Sequence, residues 1–97
     1  MASESNLKIV FIGAGNLATN LAYALFNSGF HILQVYSRSS EPAKQLATLA
    51  KSAYTTRIEE ITNDADIYFI CVPDKIIKVV ADKIDVKNGI VVHTSGS

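Results

Sequence analysis

The chain has 97 residues, 48% of them hydrophobic and 19% charged, with 9 basic side chains balancing 9 acidic ones. This is the composition of one folded domain, too apolar for a disordered segment, and at zero formal net charge it has no field to draw in nucleic acid or an anionic membrane. A lone cysteine, Cys71, excludes an intrachain disulfide or thiolate metal site, no apolar run approaches the roughly 18 residues of a membrane span, and the first residues lack the basic and apolar regions of a signal peptide. The expectation is a cytoplasmic domain with a small-molecule partner, no metal, no nucleic acid and no membrane.

Apolar runs alternate with helical patterns along the whole chain. Leu7 to Ile12 predicts a strand buried on both faces, because its apolar residues run on without alternation after Lys8. Asn16 to Ser28 predicts a helix with Leu17, Leu21 and Leu25 on one face, and Gly29 stands where a helix C-terminus favours positive φ. A second strand over His31 to Ser37 leads to Ser39 or Ser40 as the cap of a helix. Its first turn carries Glu41 and Pro42, and Ala43, Leu46, Ala47 and Ala50 form its packing face.

Ala53 to Thr55 is a short third strand, and Thr56-Arg57-Ile58-Glu59 has the capping-box spacing of a brief helix. Ile67 to Val72 is a fourth strand, stopped by Pro73, which cannot donate to a ladder. Asp74 then caps a helix through Lys83 with Ile76, Ile77, Val79, Val80 and Ile84 as its buried stripe. Ile90 to His93 is the fifth strand, and Thr94-Ser95-Gly96-Ser97 opens a loop. Strands separated by helices require crossovers, hence a parallel sheet with helices on both faces, an α/β doubly wound, Rossmann-like fold. If the strand order reverses after the third strand, Gly13, Ser37, Val72 and Thr94 lie along one edge of the sheet, beside the crevice in which such sheets bind ligands.

At that edge, Gly13-Ala14-Gly15-Asn16-Leu17-Ala18 is a G-x-G-x-x-A turn between a buried strand and a helix. Glycines there let a diphosphate approach the backbone, Ala18 keeps helix and strand close, and the helix opening at Asn16 points its positive dipole end at the anion. The second strand ends in Ser37-Arg38-Ser39. An acidic residue there would hold a free ribose 2′-hydroxyl, whereas an arginine between two hydroxyls suits a 2′-phosphate, so NADP is expected over NAD. Blander roles compete: Arg38 as a solvated surface side chain, Ser37 and Ser39 as helix caps, Cys71 as a packed thiol, and Asp74 as a cap rather than a base. His93 and Ser95 are the weak catalytic candidates. His93 alone, without a visible carboxylate partner, reads more readily as structural.

The Lys8 to Ala18 run, the Gln34-Val-Tyr-Ser-Arg-Ser strand end, the Cys71-Val-Pro-Asp loop and the closing Val92-His-Thr-Ser-Gly-Ser together resemble a family of Rossmann-like oxidoreductases. This is a largely uncharacterised group related to pyrroline-5-carboxylate reductase and the deazaflavin-dependent NADP oxidoreductases, with a helical C-terminal domain of unknown function. The resemblance implies that Gly13, Ala14, Gly15, Asn16 and Leu17 hold the diphosphate and that Ser37, Arg38 and Ser39 meet the adenosine phosphate. It further implies that Val72, Pro73 and Asp74 line the nicotinamide half and that His93 to Gly96 face the substrate. Residues 1–97 would then be the N-terminal domain of a longer oxidoreductase acting on a small carbonyl, imine or hydroxy compound. That protein would dimerise through its C-terminal domain, and this chain alone would bind cofactor without turnover. The rival reading is a non-catalytic module that senses a nucleotide.

Overall fold

The computed structural model describes residues 7–72, 74–83 and 89–94. Its strands are β1 (Lys8–Ile12), β2 (His31–Tyr36), β3 (Ala53–Thr55), β4 (Ile67–Ile70) and β5 (Ile90–His93). Its helices are α1 (Asn16–Asn27), α2 (Ser40–Ala50) and α3 (Asp74–Lys83), with a 3-10 turn at Ile58–Glu60. All four strand pairings are parallel and the order is β3-β2-β1-β4-β5, so the chain starts in the middle, builds outward to one side and crosses back to build the other. This is the expected doubly wound α/β fold, with its switch point between β1 and β4.

β1 shows why the sequence takes this form. Ile9 and Phe11 point to one face and Val10 and Ile12 to the other, and all four are at most 1% exposed. Each such burial contributes about 1.5–3 kcal/mol, which only a central strand covered on both faces can collect. Ile9 and Phe11 join Ala18 and Ala22 of α1 and Leu46 and Ala50 of α2 on one face. Val10 and Ile12 join Tyr36, Tyr68, Ile70 and Val80 of α3 on the other. Phe11 stacks on Phe69, its register partner in β4, with ring centroids 5.3 Å apart.

The packing face of α2 falls on Ala43, Leu46, Ala47 and Ala50 as expected. α1 differs. Its fully buried positions are Ala18 and Ala22, which bring the helix close to the sheet, while Leu21 and Leu25 flank them half-buried. Leu17 sits about 100° round the helix from Ala18 and is 37% exposed. The helix ends as a Schellman motif: Gly29 has φ of 95°, its N–H donates to the Phe26 carbonyl, and the Phe30 N–H donates to the Leu25 carbonyl.

Other expectations shift by a residue or two. β2 ends at Tyr36 and β4 at Ile70, two residues before Val72. Ser39 occupies the N-cap position of α2, but its hydroxyl makes no capping bond. The 3-10 turn is tied by Thr55 and Glu60, one residue either side of the expected Thr56 and Glu59. The Thr55 hydroxyl accepts from the Arg57 N–H (3.1 Å) and donates to Glu60 Oε1 (2.7 Å), because β3 carries residue 55 into the turn. Asp74 is the first helical residue of α3 rather than its cap. Val79 is 51% exposed, since Ile76, Ile77 and Val80 already fill the face towards the sheet; Ile84 lies outside the described residues.

Candidate functional site at the carboxyl edge

Four backbone hydrogen bonds run across the carboxyl edge of the sheet. The Ser37 N–H donates to the Thr55 carbonyl (3.2 Å), Gly13 to Tyr36 (2.7 Å), Cys71 to Ile12 (2.8 Å) and Thr94 to Ile70 (3.0 Å). Each donor is the first residue past its own strand, so the turns leave the sheet from fixed points.

The two motif glycines do different things there. Gly13 has φ of 108°, and a Cβ on it would stand 2.5 Å from the Cys71 carbonyl oxygen, so its missing side chain lets β1 and the β4 exit pass each other. Gly15 has an ordinary extended conformation, φ −82° and ψ −166°, and a Cβ on it would meet nothing within 4 Å. Space, not chain geometry, is what Gly15 leaves. As the N-cap of α1 it offers no side-chain capping bond, and the first turn of α1 contains no acidic residue. The opening N–H groups and the positive end of the helix dipole therefore face that space uncompensated.

Gly13, Ala14, Gly15, Ser37, Arg38 and Val72 line a cavity of about 330 Å³, with Val72 packed close to Gly13. The volume lies in the range of small-ligand pockets, about 300–1,000 Å³. Arg38 is exposed and makes no ion pair or hydrogen bond with the described residues, while the Ser37 hydroxyl accepts from the Ser39 N–H at 3.4 Å. Asn16, Leu17 and Ser39 are exposed nearby without lining the cavity, and Pro73 and Ser95 lie outside the described residues.

Tyr36 and Ile76 also line the cavity without a site signal in the sequence, as does Cys71, the first residue of the Cys71-Val-Pro-Asp loop expected near the nicotinamide half. Tyr36 reads in the sequence only as a strand residue, and Ile76 only as core. Cys71 is buried, as a packed thiol should be, and burial pushes its pKa up, partly offset by the Thr94 hydroxyl that donates to its Sγ at 3.1 Å. A protonated thiol is a poor nucleophile. His93 is exposed at the end of β5, in register with Ile70, has no carboxylate partner among the described residues and does not line the cavity.

A parallel sheet with this strand order and a glycine turn at its switch point defines a doubly wound nucleotide-fold domain. Residues 8–96 match the family described as NADP oxidoreductase, coenzyme F420-dependent, and the chain belongs to that family of NAD(P)-binding oxidoreductase domains. The crystal structure of a Bacteroides fragilis protein provisionally described as an NADP oxidoreductase is 40% identical, with a TM-score of 0.87 over 98% of this chain and 38% of that one. A shikimate dehydrogenase-like protein of Haemophilus influenzae is 34% identical over 66% of this chain and 23% of its own length. The prephenate dehydrogenase of A. aeolicus, solved with hydroxyphenyl propionate and NAD+, shares the fold, with a TM-score of 0.83 at 21% identity over 96% of this chain and 35% of that one. The chain thus spans well under half the length of these relatives. The family and these relatives are of the oxidoreductase class, which leaves the sensing alternative without support. No described helix is long and apolar enough to cross a membrane.

Proposed function

We propose that the protein binds NADP(H) at the carboxyl edge and serves as the cofactor domain of an oxidoreductase acting on a small carbonyl, imine or hydroxy compound. One observation carries the reading: the Gly13 to Gly15 turn, Val72 and Arg38, which is unpaired among the described residues, share one cavity at the switch point. The residues present suit the cofactor on physical grounds. Gly15 leaves room where a diphosphate must touch the backbone, and α1 offers uncapped N–H groups for its oxygens. Arg38 supplies a planar, permanently charged fork for a 2′-phosphate, and no carboxylate at that strand end competes with it.

When bound, the nicotinamide supplies the hydride chemistry, and the protein supplies binding and orientation. Gly13 and Gly15 would set the diphosphate against α1, while Ser37, Arg38 and Ser39 would hold the adenosine phosphate. Tyr36, Val72 and Ile76 give the cavity apolar walls that exclude water from one side of the bound molecule. Substrate contact by His93 or Ser95, and pairing of two chains through a C-terminal domain, are part of the same proposal. Calorimetric titration tests it: NADPH should bind more tightly than NADH, and equal or reversed affinities overturn the assignment.

A further inference from the structure

β2 and β3 run parallel in register, with Tyr36 opposite Thr55. Two residues beyond each of these partners stands an arginine, Arg38 on one chain segment and Arg57 on the other. Neighbouring strands are about 4.8 Å apart, so the two segments leave the sheet edge side by side. Both departures are pinned to the same residue: the Ser37 N–H donates to the Thr55 carbonyl, and the Arg57 N–H donates to the Thr55 hydroxyl. A second concavity, of about 530 Å³, opens beside the first, lined by Thr56, Arg57, Ile58 and Glu59, and the two share Tyr36 as a common wall. Arg57 thus occupies the flank of the Ser37 to Ser39 turn, on the side away from the diphosphate.

Its charge is masked. Arg57 Nη2 and Nε lie 3.1 and 3.4 Å from Glu59 Oε2, and Nε lies 4.0 Å from Glu60 Oε2, on side chains that are 58–69% exposed. An exposed pair of this kind is weak, whereas a phosphate offers three acceptor oxygens and close to two negative charges to a bidentate guanidinium. Glu60 also accepts from the Thr55 hydroxyl, and the shortest contact to Arg57 is with Glu59, its principal competitor.

We infer that Arg57 is a second specificity-determining residue for the 2′-phosphate, held in reserve by Glu59 and released to the phosphate when NADP(H) binds. The inference rests on the cofactor reading above, and the variants separate the two. Isothermal titration of the protein with NADPH and with NADH is run on wild type, Arg38→Ala, Arg57→Ala, Arg57→Lys and Glu59→Gln, with urea midpoints showing that each remains folded. Arg57→Ala should weaken NADPH about 3- to 30-fold and leave NADH unchanged, with Arg57→Lys in between. Glu59→Gln should tighten NADPH about 2- to 5-fold by removing the competitor. NADH is the internal control that a merely structural role would also move. Equal loss for both cofactors, no loss for either, or no gain from Glu59→Gln overturns the role of Arg57. If Arg38→Ala abolishes NADPH preference while Arg57→Ala does nothing, only the present inference fails. If wild type shows no preference and Arg38→Ala changes nothing, the cofactor reading fails with it.

Discussion

Replacing Gly13 and Gly15 separately should split one motif into a stability half and a ligand half. In Gly13→Ala the new Cβ is placed 2.5 Å from the Cys71 carbonyl oxygen and 2.9 Å from its carbon, both backbone atoms that no rotamer change can move. An L-residue at positive φ costs about 1–2 kcal/mol, and forcing apart two packed backbones about 1–3 kcal/mol more. The expected loss is about 2–5 kcal/mol, from a total that for domains of this kind is about 5–15 kcal/mol. With a urea slope of about 1.5 kcal/mol per M, the unfolding midpoint falls by roughly 1–3 M. Gly15→Ala meets nothing within 4 Å in an extended conformation open to any residue, so its midpoint should move by less than about 1 kcal/mol equivalent. Gly15→Val, equally folded, fills the space at the start of α1 and should abolish dinucleotide binding. Urea melts followed by circular dichroism, paired with NADPH titration, read both arms. A wild-type midpoint for Gly13→Ala, or full affinity in folded Gly15→Val, would refute this division of labour.

Arg38→Ala should weaken NADPH roughly 10- to 100-fold while leaving NADH nearly unchanged, the loss of a charge-assisted contact of about 1.5–3 kcal/mol, read by calorimetry. Tyr68 is fully buried, and its hydroxyl donates to the Thr62 carbonyl (2.7 Å) and accepts from the Ala65 N–H (3.1 Å); Tyr68→Phe strands both groups and should cost about 1–3 kcal/mol in a urea melt. Cys71 should alkylate with iodoacetamide on the order of tenfold slower than in the urea-unfolded chain, and more slowly still with NADPH bound. Because burial raises the folded pKa of Cys71, its share of stability is present below the ordinary thiol pKa of about 8.5 and is lost as pH rises through the folded value. Wild type should therefore lose more stability at alkaline pH than Cys71→Ala.

What could be read in advance depended on whether the signal was local. Lys8 to Ile12 announces a strand buried on both faces because one unbroken apolar run has no other use, and the alanine-rich face of α2 follows from helical spacing alone. On α1 the expected leucine face holds in part: Leu21 and Leu25 pack against the core, while the close approach of helix to sheet centres the contact on the small Ala18 and Ala22 and turns Leu17 outward. The Thr55 to Glu60 cap lay one residue off the expected box because the strand's end, set by pairing with β2, decides where the turn starts. Gly13 and Gly15 look equivalent in the motif, and only the position of Cys71, 56 or more residues away, tells them apart. Tyr36 and Ile76 carry no site signal in the sequence because their meeting as walls of one cavity depends on the strand order, which no local window contains.

The row of backbone bonds from Thr55 through Ser37, Gly13 and Cys71 to Thr94 bears on how the domain can change over evolution. Each turn is fastened by main-chain atoms that any residue except proline provides, while a ligand would be recognised by the side chains beyond them. Anchoring and recognition therefore draw on separate parts of the same few residues. On the proposed reading, substitutions at positions 37 to 39 would change what the edge selects without breaking the main-chain bonds that fix it, so a lineage with this scaffold could exchange one anionic cofactor for another by single steps.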